Sequence, residues 1–203
     1  MLNKARRGLG RLVSEVPAGL LARTGLSPDA LTTLGLLLAF VVAWVLSTGH
    51  LFLGGFLVLL SGAFDMLDGA VARVTGRSTK FGALLDSTFD RLSEAAILLG
   101  LLAYYASHGA YTESLLIGAA LTGSMMTSYV RARAEGLGVD CEVGVFTRPE
   151  RVILLAIGLI FQGIVPVIML VVLWVIAVLS NVVALQRILY VWQKTRNGSG
   201  DAR

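Results

Sequence analysis

The chain has 203 residues, of which 56% are apolar and only 15% charged, with a net charge of +4 and a mean hydropathy of +0.78. That composition excludes a disordered chain, a nucleic-acid-binding basic domain and a disulfide-stapled secreted module. Twenty-three glycines against four prolines suit apolar membrane helices better than a loop-rich β fold, so the chain reads as a small all-α integral membrane protein.

The N-terminal stretch carries Lys4, Arg6, Arg7, Arg11 and Arg23 among Leu2, Leu9, Leu12, Val13, Val16, Leu20 and Leu21. It lacks the continuous apolar core and small-residue cleavage site of a removable leader. Residues 1–28 are expected either to form an amphipathic juxtamembrane helix on the anionic inner leaflet or to be a basic flank that sets orientation. A second basic group is Arg73, Arg77, Lys80 and Arg91, a third Arg131, Arg133, Arg148 and Arg151, and the last Arg187, Lys194, Arg196 and Arg203. Between the groups, 24–72, 92–130 and 152–186 contain no Lys or Arg. Each gap is long enough for two spans of roughly 20 residues and a turn.

The turns fall at Ser47–Thr48–Gly49–His50, at Ser107–His108–Gly109–Ala110 and at Gln162–Gly163 ahead of Pro166. The sequence therefore predicts a six-transmembrane-helix bundle with spans near 30–47, 51–73, 83–107, 112–135, 148–165 and 167–195. Because every Lys and Arg lies away from those turns, both termini and the basic ends are expected on the cytoplasmic side of the plasma membrane. The bundle is expected to occupy 29–195 and a short cytoplasmic tail 196–203. Cys141 is the single cysteine, so no intrachain disulfide is expected.

The informative residues are acidic. Asp65 and Asp68 near the end of the second span are i, i+3, and Gly82, Asp86 and Asp90 in the third are i, i+4, i+8; each set shares one helical face. Carboxylates inside a span cost on the order of 3 kcal/mol each and usually mark function. Four that converge need cations, and hard divalent ions such as Mg²⁺ prefer carboxylate oxygen, with Mn²⁺ possible. Two readings remain beside a metal site: pairing with Arg73, Arg77 and Arg91, and the ion path of a small cation-coupled carrier. The outer halves of the spans offer little polarity for such a path beyond Glu113.

From Asp65 to Asp90 the chain reads D-x2-D-G-x2-A-R-x8-G-x3-D-x3-D. This resembles the signature of the CDP-alcohol phosphotransferases at all eight fixed positions, and the resemblance extends over nearly the whole chain. It implies transfer of a phosphatidyl-type group from a CDP-linked lipid to an alcohol, with release of CMP, in phospholipid biosynthesis. It further implies that Asp65, Asp68, Asp86 and Asp90 hold two Mg²⁺ ions, with Asp90 also the general base. Asp65, Asp68, Gly69, Ala72, Arg73, Gly82 and Asp86 would hold the CDP group. Asp29, in the similar segment Leu26–Thr32, joins that set unless it caps the first helix. A homodimer is implied by the resemblance.

The acceptor is read from arginines. Tyr129–Glu135 contributes Arg131 and Arg133, Thr147–Arg151 contributes Arg148 and Arg151, and Arg187 lies near the inner end of the last span. Guanidinium forks suit phosphate oxygens, although inner-end arginines are also what topology requires. Together they resemble the phosphatidylinositol-phosphate synthases and their archaeal-lipid counterparts within the family. Arg133, Arg151 and Arg187, with Arg131 and Arg148 behind them, would then bind the phosphate of inositol phosphate, a soluble acceptor. Glycerol 3-phosphate carries the same group and is the alternative. Glu94, four residues past Asp90, either touches the site or makes an ordinary helix-face hydrogen bond.

Overall fold

The computed structural model describes residues 27–75 and 79–198. Of the expected juxtamembrane segment 1–28, residues 1–26 lie outside the described residues, as do Arg77 and the last five residues of the expected tail. Six helices follow in order: α1 (Pro28–Ser47), α2 (Leu51–Thr75), α3 (Lys80–Ser107), α4 (Tyr111–Gly136), α5 (Arg148–Phe161) and α6 (Ile168–Gly198).

The helix starts are set by short-range chemistry. Ser27 caps α1, its hydroxyl accepting from the Ala30 N–H, with Pro28 in the first turn. Asp29 is therefore a first-turn residue and not the cap. Thr79 caps α3 by accepting from the Gly82 N–H at 2.9 Å. At α5 the Glu150 carboxylate accepts from the Thr147 backbone N–H at 2.9 Å and from its hydroxyl, closing a capping box. The tight turns match the glycines: Gly49 (φ +87°) and Gly109 (φ +69°) take the left-handed conformation that other residues avoid.

The six-helix, all-α architecture is as the sequence predicts, but six membrane spans are not. Among the described residues three helical segments are long and apolar enough to cross a membrane: Pro28–Ser47, Leu51–Val71 and Ile168–Arg196. Helix α5 has 14 residues, about 21 Å at 1.5 Å per residue, short of a hydrocarbon core of about 30 Å. Helices α3 and α4 are long enough but too polar. The first carries Lys80, Asp86, Asp90, Arg91 and Glu94, and the second Glu113, Arg131, Arg133 and Glu135. Gaps in Lys and Arg alone suggested spans there, because such gaps ignore carboxylates and hydroxyls.

Helix packing closes a ring in the order α1, α2, α5, α6, α4, α3 and back to α1, with α2 and α3 touching only slightly. A shared apolar core runs through it, with Val42, Leu46, Val58, Leu101, Ile117, Leu159 and Leu173 almost completely buried. The close approach of α1 and α3 depends on Gly100, where a Cβ would sit 2.3 Å from the Ala43 carbonyl oxygen and 2.6 Å from its Cα. Because backbone cannot yield as a side-chain tip does, Gly100→Ala should cost about 1–3 kcal/mol. A lowered thermal midpoint in detergent would register it, and an unchanged midpoint would contradict this packing.

Candidate active site

The sequence places two acidic faces on consecutive helices and expects their carboxylates to converge. In the structure α2 and α3 touch only slightly. Because α1 packs against both α2 and α3, the acidic faces are brought together across the inside of the ring by a third element, α5. Arg148, at its first position, donates from Nη2 to Asp65 on α2 and from Nη1 to Asp90 on α3. The capping box fixes that first turn, so the guanidinium is delivered to both carboxylates from a defined helix end.

The other aspartates surround this bridge. Asp68 is 3% exposed, accepts from the following Gly69 N–H and lies against the Thr32 hydroxyl of α1. Asp86 lies one turn before Asp90 and within electrostatic reach of Asp65, Asp68 and Asp90. Burial pushes the Asp90 carboxyl up to about 6, the Arg148 guanidinium opposing the rise and Asp86 and Asp65 adding to it.

The donor set is chemically suited to a hard divalent ion, because all four side chains offer carboxylate oxygen. The geometry is less complete: no group of three or more His, Cys, Asp or Glu among the described residues is close enough to hold a metal ion. Arg148 is the cation that Asp65 and Asp90 share.

The segment entering α1 meets the start of α3. A Cβ on Gly82 would lie 3.1 Å from Asp29 Oδ1 and 3.0 Å from Thr79 Oγ1, so a larger residue would crowd this corner. Gly35 gives similar closeness on α1, its Cβ position lying 3.3 Å from Asp65 Oδ1. Gly69 is half-buried beside Asp68. Ala72 and Arg73 belong to the final turns of α2, and their side chains lie outside the described set.

The five arginines separate into three environments. Arg148 and Arg151, one turn apart on α5, face the carboxylates. Arg151 forms a fork-on-fork pair with Glu94, Nε to Oε1 at 2.7 Å and Nη2 to Oε2 at 2.9 Å. This makes Glu94 a site-bordering residue that the sequence motif does not contain. Its signal was its position on the face of Asp86 and Asp90. Although burial acts to raise it, the Arg151 fork holds the Glu94 carboxyl below its ordinary range. Arg187 is 5% exposed and donates to two backbone carbonyls, Thr127 at 2.6 Å and Val143 at 2.9 Å, tying the loop before α5 to α4 and α6. Arg131 pairs with Glu135 on exposed α4 surface, and Arg133 is exposed there as well.

A groove of about 420 Å³ opens between α2 and α5. Leu59, Ala63, Met66, Val152 and Ile153 form its apolar wall, and Asp65, Asp90 and Arg148 form its polar end.

A family model for CDP-alcohol phosphatidyltransferase matches residues 26–193. The chain is 39% identical to the archaetidylinositol phosphate synthase of Methanothermobacter thermautotrophicus, over 97% of this chain and 96% of that protein. It is 42% identical to the phosphatidylinositol phosphate synthase of Mycobacteroides abscessus, over 90% and 84%. Among solved structures it resembles the Mycobacterium tuberculosis phosphatidylinositol phosphate synthase in complex with manganese and citrate, at a TM-score of 0.82 and 37% identity, covering 88% of each chain. The same enzyme with CDP-DAG bound gives a TM-score of 0.81 at 36% identity, covering 89% of this chain and 94% of that one. With the match spanning all six helices and the carboxylates, this multi-pass membrane protein belongs to the CDP-alcohol phosphatidyltransferase family.

Proposed function

We propose that this enzyme transfers a phosphatidyl-type group from a CDP-linked lipid to the hydroxyl of inositol phosphate, releasing CMP. The observation that carries the reading is the α2–α5 groove. Its apolar wall suits a lipid tail, and it runs directly into Asp65, Asp90 and Arg148, where a diphosphate would arrive. Relatives that act in inositol phosphate lipid synthesis support the acceptor, and so does the concentration of arginine around α5. The described Lys and Arg gather at the carboxylate end, which supports a cytoplasmic site and cytoplasmic termini. A homodimer is part of the same proposal.

In this reading Asp65, Asp68, Asp86 and Asp90 hold Mg²⁺ or Mn²⁺. When bound, such ions neutralise the diphosphate and stabilise the charge developing on departing CMP. The chain's own residues supply orientation and proton transfer. Asp29, Gly69, Ala72, Arg73 and Gly82 receive the nucleotide, where small residues let it approach the helix backbone. Asp90 accepts the proton of the acceptor hydroxyl. The hydroxyl oxygen forms the new bond to the lipid-side phosphorus as the bond to the CMP oxygen breaks, and CMP leaves with that electron pair. Arg148 and Arg151 orient the acceptor's phosphate, aided by Arg133, Arg187 and Arg131.

The test is CMP release by purified protein given CDP-diacylglycerol, Mg²⁺ and one alcohol at a time. Inositol phosphate should support turnover, whereas inositol and serine should not. Turnover with glycerol 3-phosphate in place of inositol phosphate would retain the mechanism and overturn the acceptor.

A further inference from the structure

Helices α3 and α5 are not neighbours in the ring: α3 packs on α1 and α4, and α5 on α2 and α6. Two side-chain rungs nevertheless connect them. Asp90 and Glu94 are i, i+4 on one face of α3, and Arg148 and Arg151 are i, i+3 on one face of α5. The first rung is Asp90 with Arg148 and the second Glu94 with Arg151. Asp65, Arg148, Glu94 and Arg151 line one partly open pocket with room for about 20 Å³, so the arginines of both rungs border the same space.

The second rung is placed where stability alone would not require it. Arg151 is 4% and Glu94 9% exposed, among Ile97, Leu98 and Leu155. In such surroundings an apolar pair of similar volume is commonly as stabilising as a buried ion pair. What the fork adds is orientation: two parallel bonds fix the guanidinium plane and commit its Nε and Nη2 edge to Glu94. The Nη1 edge of Arg151 donates to no described residue.

We infer that Glu94 is a positioning residue for phosphorylated acceptors, holding Arg151 so that its remaining edge meets the acceptor phosphate beside Arg148; this rests on the acceptor reading proposed above. Glu94→Gln keeps the shape and removes the charge that aligns the fork. KM for the phosphorylated acceptor should rise about tenfold, the loss of a charge-assisted bond. KM for the CDP-linked lipid should stay within about twofold. Inorganic phosphate should raise the thermal midpoint of wild type and do so less for the variant. Glu94→Asp, which retains charge at shorter reach, should fall between the two and serves if the Gln variant does not fold.

A lowered midpoint with both KM values unchanged would overturn the proposal, leaving Glu94 a packing residue. An absent phosphate shift in wild type would overturn it as well. Should wild type fail to use inositol phosphate, yet show a phosphate shift that Glu94→Gln removes, the positioning role stands and the acceptor assignment falls.

Discussion

Replacing Asp90 by asparagine should lower CMP release by about two to four orders of magnitude while the helical bundle stays folded. Asparagine has nearly the same shape but cannot accept a proton at neutral pH, so an acceptor hydroxyl must lose its proton to water. Folding should survive because Arg148 keeps its bond to Asp65, and the apolar core of Leu101, Ile117, Leu159 and Leu173 is untouched. Circular dichroism and a thermal melt would check the fold, and CMP release at saturating substrates the chemistry. Activity within tenfold of wild type would remove Asp90 from the proton-transfer role.

The second large effect is expected at Arg148. It compensates Asp65 and Asp90 from one guanidinium, with side-chain exposures of 21%, 13% and 23% respectively. Arg148→Gln leaves two largely buried carboxylates facing each other, at a cost of about 3 kcal/mol. A divalent ion serves the same carboxylates, so it should offset much of that loss. In chelator the variant's thermal midpoint should fall well below wild type, and Mg²⁺ should raise it by more than it raises wild type. Equal midpoints for the two proteins in both conditions would contradict the role of Arg148 as the shared counter-cation.

Much of the site was legible because its spacing is rigid. Asp65 with Asp68, and Asp86 with Asp90, must share a face on any helix, and the turns at Gly49 and Gly109 are positions where few other residues fit. What spacing within one helix does not encode is how elements meet. Arg148 comes from a helix nearly sixty residues beyond Asp90, and α1 intrudes between the helices that carry the motif. The carbonyl contacts of Arg187 were obscured for a similar reason: near an inner helix end an arginine reads as topology or as an anion ligand, and spacing does not show that it also clamps a carbonyl of a distant loop. The number of spans was misread because absence of Lys and Arg is a weaker test than length with hydropathy, which α5 fails on length and α3 and α4 on polarity.

The most direct test of the central claim is one competition assay. Inositol phosphate and glycerol 3-phosphate are supplied together at equal concentration to the protein in vesicles with CDP-diacylglycerol and Mg²⁺, and the lipid products are resolved by mass. The account predicts phosphatidylinositol phosphate as the dominant product, formed in step with CMP and reduced by about two to four orders of magnitude in the Asp90→Asn variant. A dominant phosphatidylglycerophosphate product, or CMP release with no new lipid, would contradict it.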